Sequence, residues 1–354
     1  MARAAGTDAT LRRWVDQRGF SGSLLVTRGG EAVLEGSYGL ANRADGVPVT
    51  PRTRFGLASF TKMFTAVSTV GLLHEHGVPY DAPVVGLLPP ERRPSTLRED
   101  VTVHHLLTHT SGIADYFEEA DEGADFAALW AQRPSYTMRR PVDFLPLFGE
   151  LAPYRPPGIT WQYSNAGYIL LGLVLEELAG LPYADVVQRR VFDRAGMTGS
   201  GFFGLDEVVP DVAVGYLPPA AEGLPWRSNI FSVPVVGGAD GGALATARDM
   251  DRFLRAYGDG TLVGPGLRDL MLQSHAQADP GIACGYGVFV YERDGRWGHG
   301  GGDPGVEVFG YRLPAQDLNL VVLCNVAGFT SEVRDLLLEE FAERCRPGRA
   351  ATGR

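Results

Sequence analysis

Lysine is almost missing from this chain. It occurs once, at Lys62, although Lys and Arg together number 32 in 354 residues. Arginine supplies positive charge everywhere else, so the single lysine stands where Arg cannot serve. What Lys can do and Arg cannot is lose its proton: a value of about 10.4 can be brought down by burial, while a guanidinium stays charged. Cysteine is scarce as well. Cys284, Cys324 and Cys345 are an odd count at wide spacing, which gives neither a metal-ligand pattern nor a disulfide framework. Excess positive charge is absent: the net charge is −10 with no basic stripe, which argues against nucleic acid as a partner. No apolar run reaches the roughly 18 residues of a membrane-spanning helix. Met1 to Phe20 carries Arg3, Arg12, Arg13, Asp16 and Arg18 and no apolar core, which is not a signal peptide. The expectation is a cytoplasmic protein that takes a small molecule and needs no cofactor or metal. With 45% hydrophobic residues the chain can bury a large core.

What is present begins three residues before the lysine. Ser59-Phe60-Thr61-Lys62 puts a hydroxyl one helical turn from a candidate base, and residues i and i+3 share a helix face, about 5–6 Å apart. The apolar run Met63, Phe64, Ala66, Val67, Val70, Leu72 and Leu73, closed by Gly77, predicts a buried helix after Ser59. A serine at that N-terminus meets free N–H groups and a dipole that favours negative charge. A serine at that offset arises by chance about one time in fifteen, so the pair needs company. Tyr163-Ser164-Asn165 follows a turn at Arg155-Pro156-Pro157-Gly158 and precedes an apolar helix, Ala166 to Leu178. His299-Gly300-Gly301 lies further on, between two strand-like runs.

With these motifs in this order, the chain resembles the serine β-lactamase superfamily, in the branch of class C β-lactamases, D-Ala-D-Ala carboxypeptidases and related esterases. Phe55-Gly56-Leu57-Ala58, Leu106-Leu107-Thr108-His109-Thr110-Ser111-Gly112 and Gly241-Gly242-Ala243-Leu244-Ala245-Thr246 carry the resemblance across the chain. It implies a serine hydrolase in which Ser59 is acylated. Lys62 and Tyr163 share the proton work, with the primary base open between them, and Asn165 holds Lys62 and the substrate. The oxyanion hole would be the N–H groups of Ser59 and Gly302. The family's third motif is usually Lys-Thr-Gly. Here His299 replaces Lys and Gly300 replaces Thr, with Gly301 completing the motif, and a hydroxyl that helps hold a substrate carboxylate is lost. An ester, thioester or amide without a required carboxylate is therefore expected. A β-lactamase or carboxypeptidase, an acyltransferase using the same acyl-enzyme, and a catalytically silent binding protein are the alternatives.

The expected fold is α/β (α+β), β-lactamase/transpeptidase-like, with an antiparallel sheet built from both termini and flanked by helices. Residues 8–78 and 239–346 would form the sheet domain, 79–238 an inserted helical domain, and 347–354 a tail. Strands are predicted at 22–27, 32–38, 285–292, 306–313 and 318–325, with helices at 8–18 and 331–345. His105 and His109, read as i and i+4 on a helix beside His104, lack the Glu of a zinc motif and suit a structural stretch better. The acidic run Glu118, Glu119, Asp121, Glu122, Asp125 reads as a solvated loop. Its aromatic neighbours Tyr116, Phe117 and Trp130, and a second aromatic loop with Trp226 and Phe231, either line the cleft or pack under long loops.

Overall fold

The computed structural model describes residues 11–342, apart from 12, 16, 120–127 and 132. The start of the 8–18 helix, Cys345, the tail, and Asp121, Glu122 and Asp125 lie outside them. The sheet has eight antiparallel strands: β1 (Gly22–Arg28), β2 (Glu31–Tyr38), β3 (Ala276–Asp279), β4 (Ile282–Cys284), β5 (Phe289–Tyr291), β6 (Trp297–Asp303), β7 (Val306–Leu313) and β8 (Leu318–Cys324). Their order is β2-β1-β8-β7-β6-β5-β4-β3, so the two ends of the chain meet at β1 and β8, with Gly22 opposite Cys324 and Arg28 opposite Leu318.

Strand β8, LNLVVLC, is buried throughout because both faces are covered. Its side chains alternate, as a strand demands. Leu318, Leu320, Val322 and Cys324 face a cluster with Leu11, Val15, Val333 and Leu337, while Val321 and Leu323 face the larger core. That larger core is one continuous cluster of sheet residues and of the helices from 103 to 192, so the two segments share apolar packing. Its centre is helix α1 (Thr61–His76), whose first 13 residues are all buried. Thr61, Lys62, Thr65, Ser68 and Thr69 are buried there together with the apolar residues. Gly77 ends it in the left-handed region at φ 65°, where its N–H returns to the His74 and Leu73 carbonyls.

Two sequence expectations need correction. The strand expected at 285–292 is a turn followed by a short strand. Gly285 turns onto Val288, with Gly287 at φ 69°, and only Phe289–Tyr291 pairs as β5; β3 and β4 before it are short. The glycine motif, expected between strands, lies within one: His299-Gly300-Gly301 is the middle of β6, paired to β7. Helix α3 (Thr330–Leu337) relaxes into a wider turn over Leu338–Ala342. Among the described residues, no helix is long and apolar enough to cross a membrane.

Candidate active site

The site begins at a strained turn. Ala58 has φ 43°, a left-handed conformation that costs a non-glycine residue energy. Ala58–Phe60 is a single turn of 3-10 helix that leads into α1 and presents Ser59. The segment 237–243 clamps it. Leu57 N–H bonds the Ala243 carbonyl at 2.8 Å, Gly242 N–H bonds the Ala58 carbonyl at 3.1 Å, and Thr61 Oγ1 accepts from Ala243 N–H at 3.0 Å. From the other side β6 presses in: a Cβ on Gly301 would lie 2.5 Å from the Leu57 carbonyl oxygen and 2.8 Å from the Ser59 nitrogen.

Lys62 is fully buried, and its Nζ donates to three oxygens: Ser59 Oγ at 3.1 Å, Asn165 Oδ1 at 2.7 Å and the Asp240 carbonyl at 2.6 Å. Burial lowers its pKa, against the opposing pull of Asp240, Glu119, Asp115 and Asp303. Tyr163 lies alongside, with Lys62 Nζ 4.7 Å from its ring centre. Its hydroxyl is buried and makes no well-formed hydrogen bond. Burial pushes the phenol well above 10, with the nearby Ser59 pulling the other way.

The Tyr163-Ser164-Asn165 triplet is fixed by groups the sequence reading did not single out. Helix α2 (Asn165–Ala179) is capped by Ser164, whose hydroxyl accepts from Gly167 N–H at 3.0 Å. Asp115, from a distant loop, accepts from the N–H groups of Asn165 at 2.5 Å and Ala166 at 3.2 Å. A carboxylate at a helix N-terminus is favoured by the dipole, yet burial raises Asp115 to about 7 against those same backbone bonds. His109 Nδ1 accepts from Ser164 N–H at 3.0 Å, and its ring stacks on Tyr163 with centres 4.5 Å apart. His109 is not on a helix with His105: it sits past the end of that helix at φ 58°. His105 caps that helix through Thr102.

A cavity of about 410 Å³ opens at Ser59, lined among others by Tyr116, Phe117, Glu119, Asn165, Asp240, Gly302 and Asp303. Gly302 is the exposed residue of β6 there. His299 and Gly300 are not among the lining residues. The His299 ring is buried against Phe289, centres 4.9 Å apart, with Nε2 unpaired. Burial brings its pKa down to about 3, so it is neutral. Tyr116 and Phe117 line the cavity as one sequence reading had it; Trp130, Trp226 and Phe231 do not. Trp130 packs inside and donates to the Ser232 carbonyl, Trp226 stacks under Arg43 at 3.8 Å, and Phe231 is 72% exposed. The acidic run is also more than a solvated loop: Glu119 accepts from Asn165 Nδ2 at 3.1 Å and Glu118 from Gln162 at 2.9 Å.

The cavity wall is acidic. Tyr116 donates to the Asp240 carboxylate, whose pKa is raised by burial. Burial, with the Asp240 charge added, raises Asp303 to about 7. Among the described residues, no Arg, Lys or His lines this cavity. A carboxyl whose pKa rises from about 3.9 on folding takes up a proton, so it lowers stability progressively as pH rises from about 4 to 7. Asp303→Asn should therefore raise the melting temperature by at least about 2 °C at pH 8 and by nothing near pH 4. Melting curves at the two pH values check it; an equal gain at both would refute the charge account.

Known proteins share this fold. Penicillin-binding protein 4* of Bacillus subtilis is 35% identical over 179 residues, half of this chain and 37% of that protein. A D-aminopeptidase of Gluconobacter oxydans is 28% identical over 316 residues, 87% of this chain and 56% of that protein. The chain thus spans about half or less of the length of these two relatives. A penicillin-binding protein from Bacillus halodurans, known as a crystal structure, superposes with a TM-score of 0.87 at 36% identity, covering 94% of this chain and all of that one. The Beta-lactamase family pattern matches residues 7–342, and the chain belongs to that family.

Proposed function

We propose that the protein is a serine hydrolase that cleaves an ester or amide through an acyl-enzyme on Ser59. The observation that carries this reading is the buried Lys62 within hydrogen-bond reach of the Ser59 hydroxyl, its pKa lowered by burial. Neutral Lys62 Nζ takes the Ser59 proton as Oγ attacks the substrate carbonyl carbon. The Ser59 and Gly302 N–H groups hold the oxyanion, each donor of this kind supplying about 3–4 kcal/mol. Collapse expels the alcohol or amine, which takes a proton from Tyr163 while Lys62 passes the serine proton on to the phenol; water then attacks the acyl carbon, giving its proton to Lys62, which returns it to Oγ as the acid leaves. Tyr163 remains a protonated phenol in its buried setting, which supports Lys62 as the primary base and Tyr163 as the donor to the leaving group. Asn165 keeps the Lys62 amine on station.

The substrate carries no anion beside the scissile bond. Glu119, Asp240, Asp303 and Glu307 line the Ser59 cavity, and like charge there costs binding. Gly300, where the family's hydroxyl would grip a carboxylate, removes that support as well. An amine-bearing substrate suits the same wall, in line with the relative named D-aminopeptidase. The two-segment sheet unit (8–78, 239–346) and the inserted unit (79–238) remain our proposal for domain organisation.

The test is intact-mass analysis after incubation with a fluorophosphonate probe or an activated ester. We expect one adduct on the wild type and none on Ser59→Ala. No adduct with fluorophosphonate, ester or β-lactam would leave a binding protein of this fold.

A further inference from the structure

A second cavity, of about 430 Å³, adjoins the first and shares its Tyr116, Asp240, Gly241, Asp303 and Val306. Its walls are of another character. Phe203, Val212, Ala213, Ile230, Val235 and Leu244 surround it, and the volume lies in the range that holds a drug-sized ligand. A void of this kind beside a nucleophile, left unfilled by the protein's own side chains, loses packing in the unliganded state. Ile230 at its edge is 46% exposed and the adjacent Phe231 72%. Apolar residues left in water at the rim of an apolar cavity gain burial when something apolar enters. The carboxylates Asp240 and Asp303 stand where the two cavities join, so whatever passes from one to the other passes them.

We propose that this second cavity is the specificity pocket of the Ser59 site, and that it takes a large apolar, non-anionic substituent of the substrate, an alkyl or aryl group of medium length. The proposal rests on the serine hydrolase reading for its meaning, but the pocket can be tested without turnover. Each buried methylene tightens binding about fourfold, so chain length governs affinity steeply. Ala213 stands in the wall, and a phenyl ring there occupies the space of the substituent.

The experiment measures thermal shifts with acetamide, octanamide and octanoate on the wild type, Ala213→Phe and Val235→Phe. Octanamide is expected to raise the wild-type melting temperature and to bind at least tenfold more tightly than acetamide. Octanoate, the same chain with a carboxylate, is expected to give no shift. In Ala213→Phe the octanamide shift is expected to fall at least tenfold in apparent affinity, and Val235→Phe reports the same loss should the first variant fold poorly. An octanamide shift that survives in both variants overturns the location, no octanamide shift in the wild type overturns the pocket, and an equal octanoate shift overturns the charge selection. The fluorophosphonate adduct on Ser59 is read separately. A labelled Ser59 without chain-length selectivity refutes the pocket alone, and chain-length selectivity without labelling refutes the hydrolase alone.

Discussion

Lys62→Arg lowers kcat/KM by roughly 10³-fold, within the 10²–10⁴ that a positioned general base contributes. The charge is retained, and the lost quantity is the ability to shed a proton. All three Lys62 donors are engaged at 2.6 to 3.1 Å, so the larger guanidinium also finds no room without displacing Ser59 or Asn165. The pH profile separates the two causes. Burial places the Lys62 pKa below 10.5, and in the proposed mechanism the neutral amine is the active form, so wild-type kcat/KM is expected to climb with pH until that pKa is passed. In the Arg variant the climb due to this group disappears, because a guanidinium does not titrate in the range. Steady-state rates on a chromogenic ester from pH 5 to about 10.5 measure both effects. Turnover near the wild-type level would remove Lys62 from the mechanism.

Gly301→Ala is the second large effect, and it needs no chemistry at the altered residue. Its new methyl would sit 2.5 Å from the Leu57 carbonyl oxygen and 2.8 Å from the Ser59 nitrogen, so either β6 or the nucleophile turn must move. A displacement of about 1 Å at a reacting centre costs about 10²-fold in rate. Gly300→Ala, one residue away, meets nothing closer than the Val308 carbonyl at 3.5 Å and is expected to cost less than about tenfold. Single-turnover acylation of the two variants, with circular dichroism to establish that each is folded, gives the comparison. Equal losses would mean that the strand does not position the serine by contact.

The sequence disclosed the part of the site that is local. Ser59 and Lys62 are a turn apart, and Tyr163 and Asn165 flank one residue at a helix start, so spacing alone brings each pair together. Asp115, Asp240 and Asp303 were not legible as site residues. Each lies within three residues of a quoted motif, but in three separate segments, and only tertiary folding gathers them around Lys62. His299 was legible as a motif member but not as a buried, neutral ring behind the cavity, since burial is settled by Phe289 and Tyr163 from other elements. The fold followed the same rule. Strands β7 and β8 and helix α1 show strong apolar runs, and their ends fall within a residue of expectation. The stretch at 285–292 was misread as one strand, and β3 before it was not expected, because these strands are short and their burial alternates or is partial, which leaves little pattern to read.

The pairing of β1 with β8 sets the order of events during synthesis. Ser59 and Lys62 leave the ribosome early, yet the strand that presses on the serine, β6, and the strand that completes the sheet beside β1 are made some 240 and 260 residues later. Contacts so distant along the chain are slow to form, and domains of this kind must wait for them. The nascent chain therefore carries Ser59 and Lys62 without the glycine strand that packs against them, and the proposed site is complete only as the last strands join. Residues up to 296 contain every proposed proton-transfer group and still lack the surface that would make them work.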